Sequence, residues 1–416
     1  MDMRLTPFQQ ELVDRARRLA TERFAPRAAA LDREAAFPFE DYDDLREEGL
    51  LGLCVPEAHG GLGADFETYC LVAEQIARGN ASTALTYNMH CLTMMLMGEM
   101  ADRYDMPAEK RARHERLRAE KFREVVEEGV FYGQPHSEPV EQGETDTAFS
   151  VGGRRFGTEA RRVEGGYRVT GRKFFVSLSG AADYFATPAI LVDEGDMPWI
   201  ERTLYLKVPR GAEGVAFEGE WDPIGMRATV SREMRLKDVF IPDSGDILPP
   251  GVFGGLYLTA SHAPMGFSAT FLGLAAEASE TALAYLQGGL AGAPGRSSVS
   301  PSASNGVAEM ILKLEATRSL FYHAVSEAKL PPTPETRQRA RAAHVTVQRN
   351  AVEITSLAMR VCGGRAILKR FPLERHLRDA RAASVMRPWT QDIVTEELWN
   401  AALAPEAEHG GQSEGG

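Results

Sequence analysis

The residue types that usually carry chemistry are present here without the spacings that make them work together. Cys54, Cys70, Cys91 and Cys362 form no CxxC, and the nine histidines show no metal-ligand spacing, so neither a disulfide scaffold nor a zinc site is indicated. No HExxH occurs. No GxGxxG follows a strand-like run and no GxxxxGK[ST] is found, which argues against a nicotinamide site of the usual kind and a P-loop. GxSxG appears once, at Gly411-Gln412-Ser413-Glu414-Gly415, in a polar tail with no strand before it and no helix after it, and reads as chance. A strand-end serine such as Ser177 is ordinarily a solvated hydroxyl, and Gly363-Gly364 after a helix is an ordinary cap. Generic motifs therefore point away from metal, phosphoryl-transfer and serine-nucleophile chemistry.

The elements that would position any site fall into three stretches. In the first third, Thr6-Pro7-Phe8-Gln9 offers a helix cap with a proline at the first position and a glutamine at the third. Phe8, Leu12, Ala16, Leu19, Ala20 and Phe24 then recur at helical steps. Pro56 to Gly63 is turn-rich, and Phe66 to Ala77 and Met94 to Met100 resume helical spacing. Residues 101 to 128 are highly charged and read as a solvated helix or insertion. The middle third is mainly β: Gly165 to Ser177 reads as a hairpin turning at Thr170-Gly171, and Ala186–Val192, Thr203–Val208 and Met234–Ile241 are strand candidates. Pro188 either counts against a strand over Ala186–Val192 or marks it as an edge. The last third reads as long helices over Phe267–Leu286, Val307–Lys329 and Thr333–Cys362, then Arg375–Arg381 and Asp392–Leu403, with a loop at 288–306.

Hydrophobic residues make up 44% and charged residues 25% of 416, enough for a core in a chain of two or three units. Lys plus Arg is 47 against 59 for Asp plus Glu, a net charge of −12, which argues against nucleic acid or an anionic membrane as the main partner. With no signal-like start and no long apolar run, the expectation is a soluble cytoplasmic protein. The expected units are an N-terminal helical domain (1–130), a central antiparallel β-barrel-like domain (131–248), a C-terminal four-helix bundle (249–404) and a disordered tail (405–416), an α+β multidomain arrangement.

Four segments, in order, resemble the acyl-CoA dehydrogenase superfamily of flavoproteins. They are Leu45 to Leu53 with Val55-Pro56-Glu57, Ser137-Glu138-Pro139 (similar to a Thr-Glu-Pro), and Lys173-Phe174-Phe175-Val176-Ser177 (similar to Lys-x-Trp-Ile-Thr). The fourth joins Ile224 to Arg227 and Val239 to Pro242 with Cys362-Gly363-Gly364 and Arg375 to Arg381. The resemblance implies a noncovalent FAD between the β-domain and the C-terminal helices, a homodimer or homotetramer completing the site, and an acyl-CoA substrate. An electron-transfer or flavin-reductase partner is implied as well. It places Gln134, His136, Ser137, Phe175, Val176, Ser177, Arg360, Gly363, Gly364 and Trp389 at the cofactor, with Arg296 as a weaker match.

The resemblance fails at the base that removes a Cα proton. The family's Tyr-Glu-Gly-Thr run falls on Met386-Arg387-Pro388-Trp389, so Arg387 stands where the glutamate would be. The family's second location falls near Ala263. Arginine is protonated throughout the physiological range and cannot serve as a base. His90, in Tyr87-Asn88-Met89-His90, resembles a histidine that some monooxygenase members place near the flavin, and dehydrogenase relatives carry one there too. Three readings follow: an acyl-thioester dehydrogenase with a displaced base, a monooxygenase using reduced flavin and O2, or a base-less subunit of a hetero-oligomer.

Overall fold

The computed structural model describes residues 5–138, 156–193, 197–260, 262–290, 293, 300–386 and 390–403. Arg296, Arg387, Trp389 and the tail 405–416 lie outside these. The N-terminal unit begins at α1 (Pro7–Leu19), where Thr6 and Gln9 close the capping box that the sequence offers. A π turn over Ala20–Phe24 carries the chain into α2 (Ala25–Glu34), and α3 (Phe39–Glu47) follows. Asp65 caps α4 (Phe66–Gly79) and Asn80 caps α5 (Ala81–Met95), so two long buried helices meet at one sharp corner. After the short α6 (Ala101–Arg103) comes the charged α7 (Ala108–Arg123). It is more than a solvated helix, because His114, Arg118, Lys121 and Phe122 are buried. Arg113 reaches Asp246 at 2.7 Å and the Lys121 ammonium donates to the Ser244 carbonyl, which docks α7 on the sheet.

Eight strands form one sheet: β1 (Tyr132–Gly133), β2 (Glu159–Val163), β3 (Gly166–Val176), β4 (Tyr184–Leu191), β5 (Thr203–Pro209), β6 (Val215–Glu218), β7 (Arg232–Pro242) and β8 (Asp246–Leu248). Their order is β6-β7-β3-β2-β4-β5-β8, with β1 beside β4. The β2–β4 and β1–β4 pairings are parallel, so the sheet is mixed where a purely antiparallel one was expected. Residues 166 to 176 are one continuous strand, and the β2–β3 hairpin turns at Glu164-Gly165 instead of Thr170-Gly171. Gly171 lies at a register shift against β7, and a Cβ on it would fall 2.5 Å from the Thr158 hydroxyl. It marks a bulge and a close approach of backbones, the other meaning of a strand glycine.

Pro188 sits in the interior strand β4, paired with Tyr205 of β5. On its other side β1 reaches only to Phe185 and β2 starts only at Ile190, so no ladder bond is required of the missing N–H. Its carbonyl instead accepts from the buried Lys173 ammonium at 2.8 Å. Lys173 also pairs with Glu138, whose carboxylate accepts from the Thr158 amide and hydroxyl. Burial favours the neutral form of both partners. In Glu138 the ammonium and the hydrogen bonds overcome it and hold the carboxyl below its ordinary value, whereas in Lys173 burial prevails and lowers the pKa.

The C-terminal unit contains α8 (Val252–Thr259), α9 (Met265–Gln287), α10 (Pro301–Ser326), α11 (Pro334–Cys362), α12 (Leu373–Val385) and α13 (Gln391–Leu403). α11 packs on α9, α10 and α12, the four-helix core of this unit. α10 starts at Pro301 behind the Ser300 cap, inside the stretch that composition marks as loop. Among the described residues no helix is long and apolar enough to cross a membrane.

Two outcomes are expected. Lys173→Met would strand a buried carboxylate and cost about 3–5 kcal/mol of stability, read as a lower urea midpoint at unchanged m-value. Acid lability is the second. Burial lowers five histidines, His90, His114 and His262 to about 4 and His136 and His376 to about 3. Their unfolded forms take protons from about pH 6.5 downward while the folded forms do not, so their contribution falls as pH drops from 6.5 toward 4. Asp246 and Asp379, raised to about 6 by burial, act in the opposite sense. The five histidines outnumber these two carboxylates, so the melting temperature should decline between pH 6.5 and 4.5.

Candidate functional site

A cavity of about 560 Å³ opens where the three units meet, a size ordinary for a small-molecule or cofactor site. One wall is a stripe of α5 and its π-turn extension, Leu85, Met89, Leu92 and Leu96, repeating at helical spacing. The sheet supplies Gln134, His136 and Ser137 after β1, and Phe175 and Ser177 at the end of β3. The loop before β7 supplies Trp221, Met226, Thr229 and Ser231. The C-terminal unit closes the space with Phe253, Leu256, Tyr257, Ala260, Ala263 and Phe267, and with Arg381, Ala382 and Met386 at the end of α12.

Backbone strain gathers on the polar side of this cavity. Phe175, Leu178, Met226 and Val230 all have positive φ, between 45° and 65°. Non-glycine residues pay for that conformation, and such residues concentrate at ligand sites. The register shift between Lys173 and Val176 throws Phe175 outward, leaving its side chain 67% exposed on the cavity wall. The two loops are bound together by the Leu178 and Ser179 amides, which donate to the Thr229 and Val230 carbonyls at 3.0 and 3.1 Å. The hydroxyls of Ser177, Ser231 and Thr229 form a continuous series at 2.8 Å per step, ending where Thr229 donates to the Met226 carbonyl at 2.9 Å.

The Arg375–Arg381 segment of α12 fastens this wall. Asp379, buried, accepts from the Met226 amide at 2.5 Å. Arg378 donates to both carboxylate oxygens of Asp32 and to the Ile224 carbonyl. Gly225 is required beneath it, because a Cβ there would lie 2.3 Å from the Arg378 carbonyl.

Gln134, His136, Ser137, Phe175 and Ser177 thus share one cavity. Gln134 donates to the Tyr205 hydroxyl at 3.0 Å, and an His136 ring nitrogen lies 3.2 Å from the same oxygen. His136 is held neutral by burial and then by the charge of Lys173. Val176 is fully buried beneath the wall and does not line it. His90 does not line the cavity. Its Nε2 lies 2.7 Å from the Leu51 carbonyl and its Nδ1 accepts from the Tyr132 amide, so both nitrogens serve the backbone and the ring is buried and neutral. Arg360 and Gly364, exposed, and Gly363, half-buried, sit at the far end of α11, and this chain does not bring them to the cavity. Arg360 lies 3.6 Å from Glu309, and the Gly363 amide caps the helix on the Met359 carbonyl.

Among the described residues no carboxylate lines the cavity. Ala263 does, at the family's second base position. Glu277 is taken up by Arg78 and Glu397 by Arg341, while Asp392 and Glu396 are exposed. Sequence reasoning missed Thr229, Ser231, Trp221 and the α5 stripe; for the stripe, the Leu85/Met89/Leu92/Leu96 spacing was the available signal. The lining fits a flavin in kind: a large, apolar, aromatic-walled space with hydroxyls on one edge suits a planar ring with polar rim atoms.

Comparison with known proteins agrees with this architecture. Residues 6–103 match the acyl-CoA dehydrogenase N-terminal domain and residues 265–387 the acyl-CoA dehydrogenase C-terminal domain, together just over half of the chain. The chain is 28% identical to the putative acyl-CoA dehydrogenase YdbM of Bacillus subtilis, covering 94% of this chain and 96% of that protein. It is also 28% identical to the benzylmalonyl-CoA dehydrogenase of Aromatoleum aromaticum, over 92% and 94%. The FMN-bound structure of TdsC, a dibenzothiophene monooxygenase from Paenibacillus sp. A11-2, has the same fold, with a TM-score of 0.79 at 22% identity over 94% of this chain and 97% of that one. With both terminal domains matched on either side of a strained, hydroxyl-edged cavity, the chain belongs to the flavin-dependent acyl-CoA dehydrogenase superfamily.

Proposed function

We propose that the protein is an FAD-dependent oxidoreductase that removes hydrogen from the acyl chain of a thioester, as the acyl-CoA dehydrogenases it resembles do. The observation that carries this reading is the cavity itself, apolar at the α5 stripe and hydroxyl-edged at Ser137 and Ser177. A bound FAD supplies a two-electron hydride acceptor. Ser137 and Ser177 would hydrogen-bond the ring edge and Phe175 would cover a ring face. Leu85, Met89, Leu92 and Leu96 would seat the acyl chain and exclude water, which strengthens every polar contact inside. Gly363, Gly364 and Arg360, with exposed apolar residues Ile311, Leu312, Ile367 and Leu368 on the same unit, would serve a second copy of the chain in a homodimer or homotetramer. Trp389 would border the cofactor.

The proton is the open side of the chemistry. His136, lowered to about 3 by burial and then by the charge of Lys173, is too weak a base to take a proton near pH 7. Arg387 in place of the usual glutamate would bind an anionic group of the substrate rather than take a proton. The absence of a carboxylate among the described lining residues favours a second reading, oxygenation of an apolar substrate with reduced flavin and O2, which needs no Cα base.

Purified protein should be yellow and yield FAD on denaturation. Anaerobic titration with an acyl-CoA panel should bleach the flavin, and Arg387→Glu should raise the bleaching rate by about 10²-fold or more by restoring a base. No bleaching by any acyl-CoA, with substrate oxidation once reduced flavin and O2 are supplied, would establish the second reading instead.

A further inference from the structure

The hydroxyl series beside the cavity has a definite polarity. Each hydroxyl carries one proton and two lone pairs. Thr229 commits its proton to the Met226 carbonyl at 2.9 Å. In the 2.8 Å contact between Thr229 and Ser231, the donor is therefore Ser231. Ser231 then has no proton left, so in its 2.8 Å contact with Ser177 the donor is Ser177. The Ser177 proton points into the wall, and its lone pairs remain for whatever occupies the cavity. All three residues are at most 8% exposed, so water does not compete for these bonds. The loops that carry them are locked by two backbone bonds and by left-handed backbone at Leu178 and Val230.

We infer that Thr229 and Ser231 are positioning residues that fix Ser177 as a hydrogen-bond acceptor toward the cavity and so favour the two-electron-reduced flavin over the oxidised one. The inference rests on the reading that a flavin edge lies against Ser177. An oxidised isoalloxazine presents lone pairs at its redox-active ring nitrogens, and two-electron reduction adds a proton to N5, which becomes a donor. A serine free to rotate would serve both states, donating to one and accepting from the other. A serine whose proton is held by Ser231 serves only the reduced state. Neither Thr229 nor Ser231 needs to touch the reacting atoms to do this.

The test is the midpoint potential of the flavin in the holoprotein, measured by slow enzymatic reduction against a reference dye, with flavin stoichiometry read from the same samples. Ser231→Ala and Thr229→Val should lower the ratio of reduced to oxidised flavin at a fixed potential by about tenfold, a shift of about 30 mV for a two-electron couple. Ser231→Thr and Thr229→Ser keep the hydroxyl and should stay within about threefold of the parent. Full flavin content with an unchanged or raised potential in Ser231→Ala and Thr229→Val would overturn the relay while leaving the flavin reading intact. A parent protein that takes up no flavin would overturn the reading beneath it, and the relay with it.

Discussion

Three units share one cavity, and the constraint that holds them in register is an ionic junction around Asp32, Arg378 and Asp379. Arg378 of α12 bonds Asp32 of α2 through both carboxylate oxygens, at 2.6 and 2.9 Å, and also the Ile224 carbonyl in the loop before β7. Arg227 of that loop returns to the Asp32 carbonyl at 2.7 Å. Taking charges out of water is costly, and such a pair is worthwhile only when every remaining donor and acceptor is met. The planar guanidinium fork of arginine meets that demand with several partners in one plane, which a lysine ammonium cannot reproduce. Its hydrogen bond to Asp32, with Glu374 beside it, raises Arg378 further above its already high ordinary value. The apolar α5 stripe and the strained sheet loops could pack in many relative positions; this junction selects one.

What the sequence made legible, and what it hid, divides along the range of the interaction. Caps and breaks are local, so Thr6-Pro7 and Thr333-Pro334 start helices where their chemistry says they should. The helix–sheet–helix order follows from changes of period. The errors are positions where a residue answers to a neighbour distant in sequence. Gly171 looks like a turn until Thr158 is placed against it. Pro188 looks like an edge until the gap between β1 and β2 is seen to be filled by Lys173. Charged α7 looks solvated until Asp246 and Ser244 supply partners for Arg113 and Lys121.

The candidate site divides in the same way. Ser137, Phe175 and Ser177 were found because their motifs resemble those of a family, and the fold does bring them to one cavity. His90 was singled out by the same route, yet its two ring nitrogens are spent on Leu51 and Tyr132. A motif records which residue type recurs and not which way its polar atoms face. Thr229 and Ser231 carried no motif at all, because a hydroxyl two residues from another acquires meaning only when a third, Ser177, arrives from a different strand.

Met226 joins the structural junction to the polar edge of the cavity. Its amide donates to Asp379 of α12, and its carbonyl receives the Thr229 proton. Both ends of the residue are therefore committed, on a left-handed backbone that an unbranched side chain tolerates better than a β-branched one. A carbonyl held in place from the other side of a domain boundary is a fixed acceptor, and a fixed acceptor gives the hydroxyl series a direction. The docking of α12 on the sheet loop consequently sets more than the shape of the cavity. It sets the sign of the hydrogen bonding that the cavity presents, so the electrostatics at Ser177 are decided at a junction between helices and sheet that reaches the cavity wall through Met226.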